Sequence, residues 1–191
     1  MWTAKGALNV GIFPRFEGKL ELPVVVSDAD GSSLQAGFGD VIAGLKYSIV
    51  DETPAVPAVA GAVTVRLPSG DPDRGLGEDG VDVTVLGIVG KRVEPFVLHG
   101  NVGYRFVTAD RSLDMWIVAA SVEYQLNARL SLVGEALGFL PADGDQDATG
   151  RFRAGVVYSM RDNVRLDAAV GRGFTRDSPR ALVTVGVTIG F

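Results

Sequence analysis

The closing residues of the chain limit its fold more than any other stretch. From Val183 to Phe191 apolar side chains fall on alternate positions, Val183, Val185, Val187, Ile189 and Phe191, and only Thr and Gly lie between them. A period of two is the pattern of a β-strand with one apolar and one polar face. At the edge of a water-soluble sheet such a row would recruit other strands, and soluble proteins usually blunt it with a charge or a Pro. Neither interrupts this one. The row needs a cover, and a half-buried edge strand of a soluble sheet and a lipid-facing strand are the two ways to supply it.

Composition narrows the choice of elements. The 191 residues suit one domain, 1–191. Apolar residues make up 47% and charged residues 21%, and the mean hydropathy is +0.23. Yet no uninterrupted apolar run of about 18 residues occurs, which excludes a transmembrane helix. Hydrophobicity is dealt out in short segments, and helix formers are scattered without a 3.6 period, so helix content is expected near zero. With no Cys there is neither a disulfide framework nor a thiolate metal site. A net charge of -5 argues against a nucleic-acid surface.

Alternation predicts eleven strands, at 2–13, 18–28, 37–50, 57–68, 79–91, 94–107, 113–126, 128–140, 150–160, 164–175 and 181–191. Each approaches the ~9–11 residues with which a tilted strand crosses a bilayer. Short turns alternate with longer loops at 29–36, 69–78, 108–112, 141–149 and 176–180, of which 28–31, 68–73 and 141–147 are rich in Gly, Pro and Asp. Tight turns on one rim and long loops on the other is the layout of a transmembrane β-barrel. The expected fold class is all-β, an antiparallel transmembrane β-barrel.

The aromatics test that expectation. With the apolar face of every strand taken as outward, Trp2, Tyr47, Phe96, Tyr104, Phe106, Trp116, Tyr124, Phe152, Tyr158, Phe174 and Phe191 all point outward, mostly near strand ends. That placement is a pair of aromatic girdles. Phe13, Phe16, Phe38 and Phe139 are exceptions in turns or near strand ends.

The inward phase carries Lys5, Lys19, Glu21, Asp40, Lys46, Arg66, Asp82, His99, Arg105, Glu123, Glu135, Arg153, Arg165 and Asp167, interspersed with Ala and Gly. A wall of both signs with small residues between them is expected to line a wet pore. Its charges either cross-brace the wall and partly plug it, because unpaired lumenal charges are costly, or set the selectivity of a narrow path. Hairpin geometry is expected to set Asp40 opposite Arg66, and Gly103 opposite Asp82 with Arg105 as the diagonal neighbour of that acid.

Other chemistry is sparse. His99 is the single His, which leaves no imidazole cluster for a metal and makes a Ser-His-Asp enzyme improbable. Asp143, Asp145 and Asp147 have the spacing of a calcium loop, but Ala148 stands where the Gly is needed and Ala154 where the bidentate Glu belongs. No metal, cofactor or catalytic residue is expected. Asp28, Asp30, Asp71, Asp73, Glu78, Asp79, Asp143, Asp145 and Asp147 make the long-loop rim acidic, which is either a solvated surface or a place where divalent cations bridge to anionic lipopolysaccharide.

The closing order, with Gly186, Ile189 and terminal Phe191, resembles the signal by which bacterial outer-membrane barrels are handed to their assembly machinery. Gly39-Asp40-Val41 leading to Gly44-Leu45-Lys46-Tyr47, then Leu67-Pro68-Ser69-Gly70-Asp71, Asn101-Val102-Gly103-Tyr104 and Val185-Gly186-Val187 resemble the family of outer-membrane transporters labelled as the MetA pathway of phenol degradation. Phe16 to Pro23 resembles the early strand of that family. The resemblance implies a barrel of about twelve strands in the outer membrane of a Gram-negative-type bacterium, with passive passage of small, aromatic or hydrophobic solutes, and it carries over no catalytic residue. The alternatives are a structural or adhesive barrel with a plugged lumen, a soluble ligand-binding barrel, and a barrel enzyme. The partners expected are outer-membrane lipid and lipopolysaccharide, the barrel-assembly machinery and a small-molecule solute, with no nucleic acid.

Eleven strands would make the first and last run the same way, whereas single-chain bacterial barrels have even strand numbers and close antiparallel. The sequence is therefore expected to lack one N-terminal strand together with an export signal, with twelve strands in the complete protein.

Overall fold

A computed structural model describes residues 2–27, 34–143, 146–175, 178 and 180–191. They form one antiparallel sheet whose elements are β1 (Trp2–Phe13), β2 (Phe16–Ser27), β3 (Gln35–Phe38), β4 (Val41–Val50), β5 (Ala58–Leu67), β6 (Asp82–Val93), β7 (Phe96–Val107), β8 (Met115–Gln125), β9 (Leu130–Pro141), β10 (Thr149–Arg161), β11 (Val164–Gly173) and β12 (Leu182–Ile189). Each pairs with the next in a meander, except that β2 pairs with both β3 and β4. Helical structure among the described residues is two three-residue 3-10 turns, Pro72–Arg74 and Arg111–Leu113.

The strand expected over 37–50 is broken in two. Val24 lies opposite Phe38, but Glu21 lies opposite Ile42, so the chain carries one extra residue at Gly39–Asp40. That β-bulge reverses which parity faces out. Phe38 therefore shares a face with Val24 and is 74% exposed. Phe16 pairs directly with Tyr47, their rings 4.7 Å apart. A second irregularity between Gly11 and Phe13 sets Phe13 opposite Phe16. Three of the four expected exceptions thus join the apolar face, Phe13 and Phe38 through irregularities that a fixed parity could not show and Phe16 because β2 begins at it. Phe139 remains on the other face, opposite Ile117 and Thr149.

The ladders carry one phase across the whole sheet. Leu20, Ala43, Val65, Val83 and Phe106 are successive cross-strand partners on one face, as are Phe96, Tyr124, Leu132, Val156, Ala168 and Val185 farther along. Large apolar strand residues that are exposed lie on this face, among them Leu45 at 53% and Val185 at 81%. Val25, Asp82, Val107 and Ser131, all buried, lie on the opposite, polar face. An open flat sheet would expose both faces alike, so the polar face is the sheltered, concave side of a barrel-like sheet.

Aromatic clusters mark both ends of the apolar face. Phe16 with Tyr47, and Phe96 with Tyr124 at 5.1 Å, stand by the short turns, while Tyr104 lies 4.6 Å from Phe106 and 5.0 Å from Trp116 by the long loops. The side chain of Trp2 is outside the described residues. β1 and β12 are the two edges, they run in the same direction, and no ladder joins them among the described residues.

Candidate functional site

The concave polar wall is where the chemistry collects. Strand register places the side chains expected to face inward on it. Lys5 is opposite Pro23, Lys19 opposite Asn9 and Gly44, Glu21 opposite Ala7 and Ile42, and Lys46 opposite Glu17 and Ala62. Arg66 is opposite Asp82, His99 opposite Gly90 and Ser121, Arg105 opposite Thr84 and Met115, and Glu123 opposite Val97 and Val133. Glu135 faces Arg153, Arg165 faces Ser159 and Thr188, and Asp167 faces Val157 and Gly186.

Two expected registers are corrected. Arg66 lies opposite Ile42, not Asp40, because the β4–β5 turn is longer and irregular at Ser48/Val50. Asp82 lies opposite Val107, not Gly103, because β6 and β7 extend to Val93 and Phe96. The Asp40–Arg66 ion pair forms all the same, reached diagonally. Asp82 takes Arg66 Nε at 3.0 Å, leaving Arg105 to a different neighbour.

From β1 to β6 the charges are mated, save Lys5, which has no ion pair among the described residues. Lys19 pairs with Glu21, and Lys46 with Glu17, each at 2.9 Å. Around Asp40 the loop between β5 and β6 is tied to the wall. The carboxylate of Asp40 accepts from Gly70 N and Glu78 N, both at 2.9 Å, and from Arg66. Burial pushes the Asp40 carboxyl up, but the backbone N–H groups of Gly70 and Glu78 and the Arg66 guanidinium outweigh it and hold it below the usual carboxylate value. Asp40 sits in the break between β3 and β4, outside the strands.

The loop follows from its residues. Asp71 caps the 3-10 turn by accepting from Arg74 N, and Gly75 closes it at φ 66, a left-handed conformation that suits Gly. That turn delivers Leu76, only 4% exposed, against the concave side of Gly37 and Gly39. Gly70 and Gly77 meet backbone to backbone, since a Cβ on Gly77 would lie 2.8 Å from Gly70 Cα and 2.6 Å from Asp40 Oδ1. Arg74 adds a hydrogen bond to Gln35 Oε1 at 2.9 Å. The loop is thus folded onto the wall, and the wall is narrowed there.

From β7 to β12 the charges are mostly unmated. Glu135 and Arg153 pair at 2.6 Å. Arg105, Glu123, Arg151, Arg165 and Asp167 have no ion pair among the described residues. The guanidinium carbons of Arg105 and Arg151 lie 5.9 Å and 5.6 Å from the centroid of the Phe139 ring. Elsewhere on this half a cavity of about 310 Å³ is lined by Val133, Glu135, Arg153, Arg165, Asp167 and Thr184 among others. Small residues keep it open. A Cβ on Gly186 would strike Asp167 Oδ1 at 2.5 Å, and one on Gly171 would strike Arg153 Cγ at 2.7 Å.

Sequence reading missed Glu17, placed in a turn, and Arg151, at a strand end, although both fit the inward parity. It also missed the inward fold of loop 68–81, whose one signal was the isolated Leu76 between Gly75 and Gly77. Of the acidic rim, Asp71 caps a turn and Glu78 pairs with Arg66, while Asp28, Asp30 and Asp145 lie outside the described residues. Among the described residues no group of three or more His, Cys, Asp or Glu is placed to hold a metal ion.

These features define an all-antiparallel, barrel-like β-sheet with an apolar outer face and a charged inner wall. The chain belongs to the family described as "Putative MetA-pathway of phenol degradation", whose model matches residues 4–191. Gly39-Asp40 and Pro68-Ser69-Gly70-Asp71, which carried the resemblance in sequence, are the segments that meet in the Asp40 anchor. None of the curated proteins compared with the chain matches it.

Proposed function

We propose that this chain is an outer-membrane β-barrel that provides a passive path for small solutes along its charged inner wall. The observation that carries this reading is the division of the sheet. One face is an apolar surface with aromatic clusters at both ends, with Leu8 48% and Val185 81% exposed, while most charged groups of the strands gather on the sheltered face, Lys91 and Arg172 near the strand ends being exceptions. A water-soluble barrel would bury its apolar face and wet the polar one, the reverse of this exposure. The family description associates the chain with phenol degradation, and a channel for small, aromatic or hydrophobic compounds agrees with it.

In this reading the fourteen inward residues from Lys5 to Asp167 line the pore. Gly186, Ile189 and Phe191 serve the assembly machinery, and lipid and lipopolysaccharide surround the apolar face. No residue is given a catalytic role. Planar-bilayer recording of the refolded protein tests the reading, with discrete conductance steps expected. Absence of both conductance and solute uptake by loaded vesicles would overturn it in favour of a plugged structural barrel, the second reading, which the inward-folded loop 68–81 supports.

A further inference from the structure

Among the inward arginines, two are held in a way that pairing does not explain. Arg105 on β7 and Arg151 on β10 both reach the ring of Phe139 on β9, the one aromatic on the polar face of the described strands. Neither has a carboxylate partner among the described residues, and Arg151 Nε is buried without a hydrogen-bond partner. The nearest ion pair, Glu135 with Arg153, is already closed on itself. Two like charges thus share one ring, with no carboxylate paired to either among the described residues. A ring edge and face hold guanidinium groups in a fixed plane, but do not cancel their charge.

We infer that Arg105, Phe139 and Arg151 form a receiving site for a small organic carboxylate at the long-loop end of the polar wall. The guanidinium fork matches the two oxygens of a carboxylate, and neither Arg105 nor Arg151 has a carboxylate on its fork among the described residues. The inference rests on the reading of this wall as a solute path, and adds to it the class of solute.

The test is calorimetric titration of the refolded protein with benzoate, with benzyl alcohol as the uncharged molecule of similar shape, and with inorganic phosphate. Benzoate is expected to bind at least about tenfold more tightly than benzyl alcohol, the size of one charge-assisted hydrogen bond. The R105Q/R151Q variant is expected to lose that preference and leave benzyl alcohol unchanged. In a salt gradient its reversal potential should move toward cations. Equal binding of benzoate and benzyl alcohol, or benzoate binding unchanged in R105Q/R151Q, overturns the site. Phosphate bound as tightly as benzoate overturns the carboxylate assignment. Loss of conductance alone would count against the channel and not against the site, because the titration needs no current. Should R105Q/R151Q fail to refold, R105K/R151K decides, since it keeps the charge without the fork and should retain only part of the preference.

Discussion

The wall from β1 to β6 and the wall from β7 to β12 share one alternation, but use their charges differently. In the first, Lys19, Lys46 and Arg66 each face an acid within 3 Å or close to it, and the loop from Pro68 to Val81 is drawn in over Asp40. In the second, Glu135 and Arg153 are mated while Arg105, Arg151, Arg165 and Asp167 stand apart, and a cavity opens between strands. Mated charges stiffen a wall and offer little to a solute. Unmated charges do the opposite, and they persist only where water or a ligand can reach them. One half therefore acts as the frame and the other as the surface that meets what passes.

The largest effect should come from the Arg66 hub. Arg66→Met leaves Asp40 and Asp82 facing each other in a sheltered site, and removing one partner of such a network typically costs about 3–5 kcal/mol. Equilibrium urea unfolding of the refolded protein measures it. A loss below about 1 kcal/mol would mean that the first half is not held by its ion pairs, and the contrast between the halves would lose its basis.

Gly77→Ala should come next. Its Cβ would press on Gly70 Cα and on Asp40, so the loop must lift or the wall must strain, at about 1–3 kcal/mol. If the loop lifts, conductance should rise and limited proteolysis between Pro68 and Val81 should quicken. Unchanged proteolysis and conductance would show that the loop does not narrow the path.

Acid should loosen the same anchor. The carboxyl of Asp40 is held below its ordinary value, so the unfolded chain binds a proton there before the folded one does. Its stabilisation is therefore complete above the ordinary carboxylate value, and is lost as pH falls through the lower, folded one. Unfolding measured against pH should show a drop below the ordinary range that Asp40→Asn flattens. A profile identical in wild type and Asp40→Asn would remove Asp40 from the account.

How much of this was legible in the sequence depends on range. The meander, the two faces and the inward charges follow from local alternation, which survives any error of register because its period is two. Phe38 was misread, since a bulge at Gly39–Asp40 changes parity by one residue and leaves no local mark beyond a Gly, and Phe16 was misread because it was assigned to the turn, whereas it opens β2. The pair Asp40–Arg66 was legible, but its register was not, because turn lengths were uncertain by the two residues that separate opposite from diagonal. The loop over the wall was not legible at all. It depends on Leu76 meeting Gly37 and Gly39 across the sheet, a contact between segments far apart in sequence.

On the second half, Arg105→Gln should cost about 0.5–2 kcal/mol of stability, the range of a half-buried cation on a ring. The same unfolding experiment reads it. A cost approaching that of Arg66→Met would place Arg105 in the frame.

The smallest effect concerns the mated pair that is least sheltered. Lys46 and Glu17 meet at 2.9 Å directly across β4 and β2, yet their side chains are 42% and 39% exposed. At that exposure water screens the attraction, and both long side chains give up rotamer freedom to meet, so a double-mutant cycle of Lys46→Ala and Glu17→Ala should return about 0.2–1 kcal/mol of coupling. Raising the salt concentration should reduce it further. The value bears on the contrast between the halves, because Lys46–Glu17 has the geometry of the Arg66 hub without its burial. A small coupling here beside a large loss at Arg66 would show that burial, and not pairing alone, makes the first half rigid. Coupling above about 2 kcal/mol that resists salt would mean the opposite, that the whole polar wall is poorly hydrated. The unmated arginines of the second half would then stand in a medium where their charges demand a partner even more strongly.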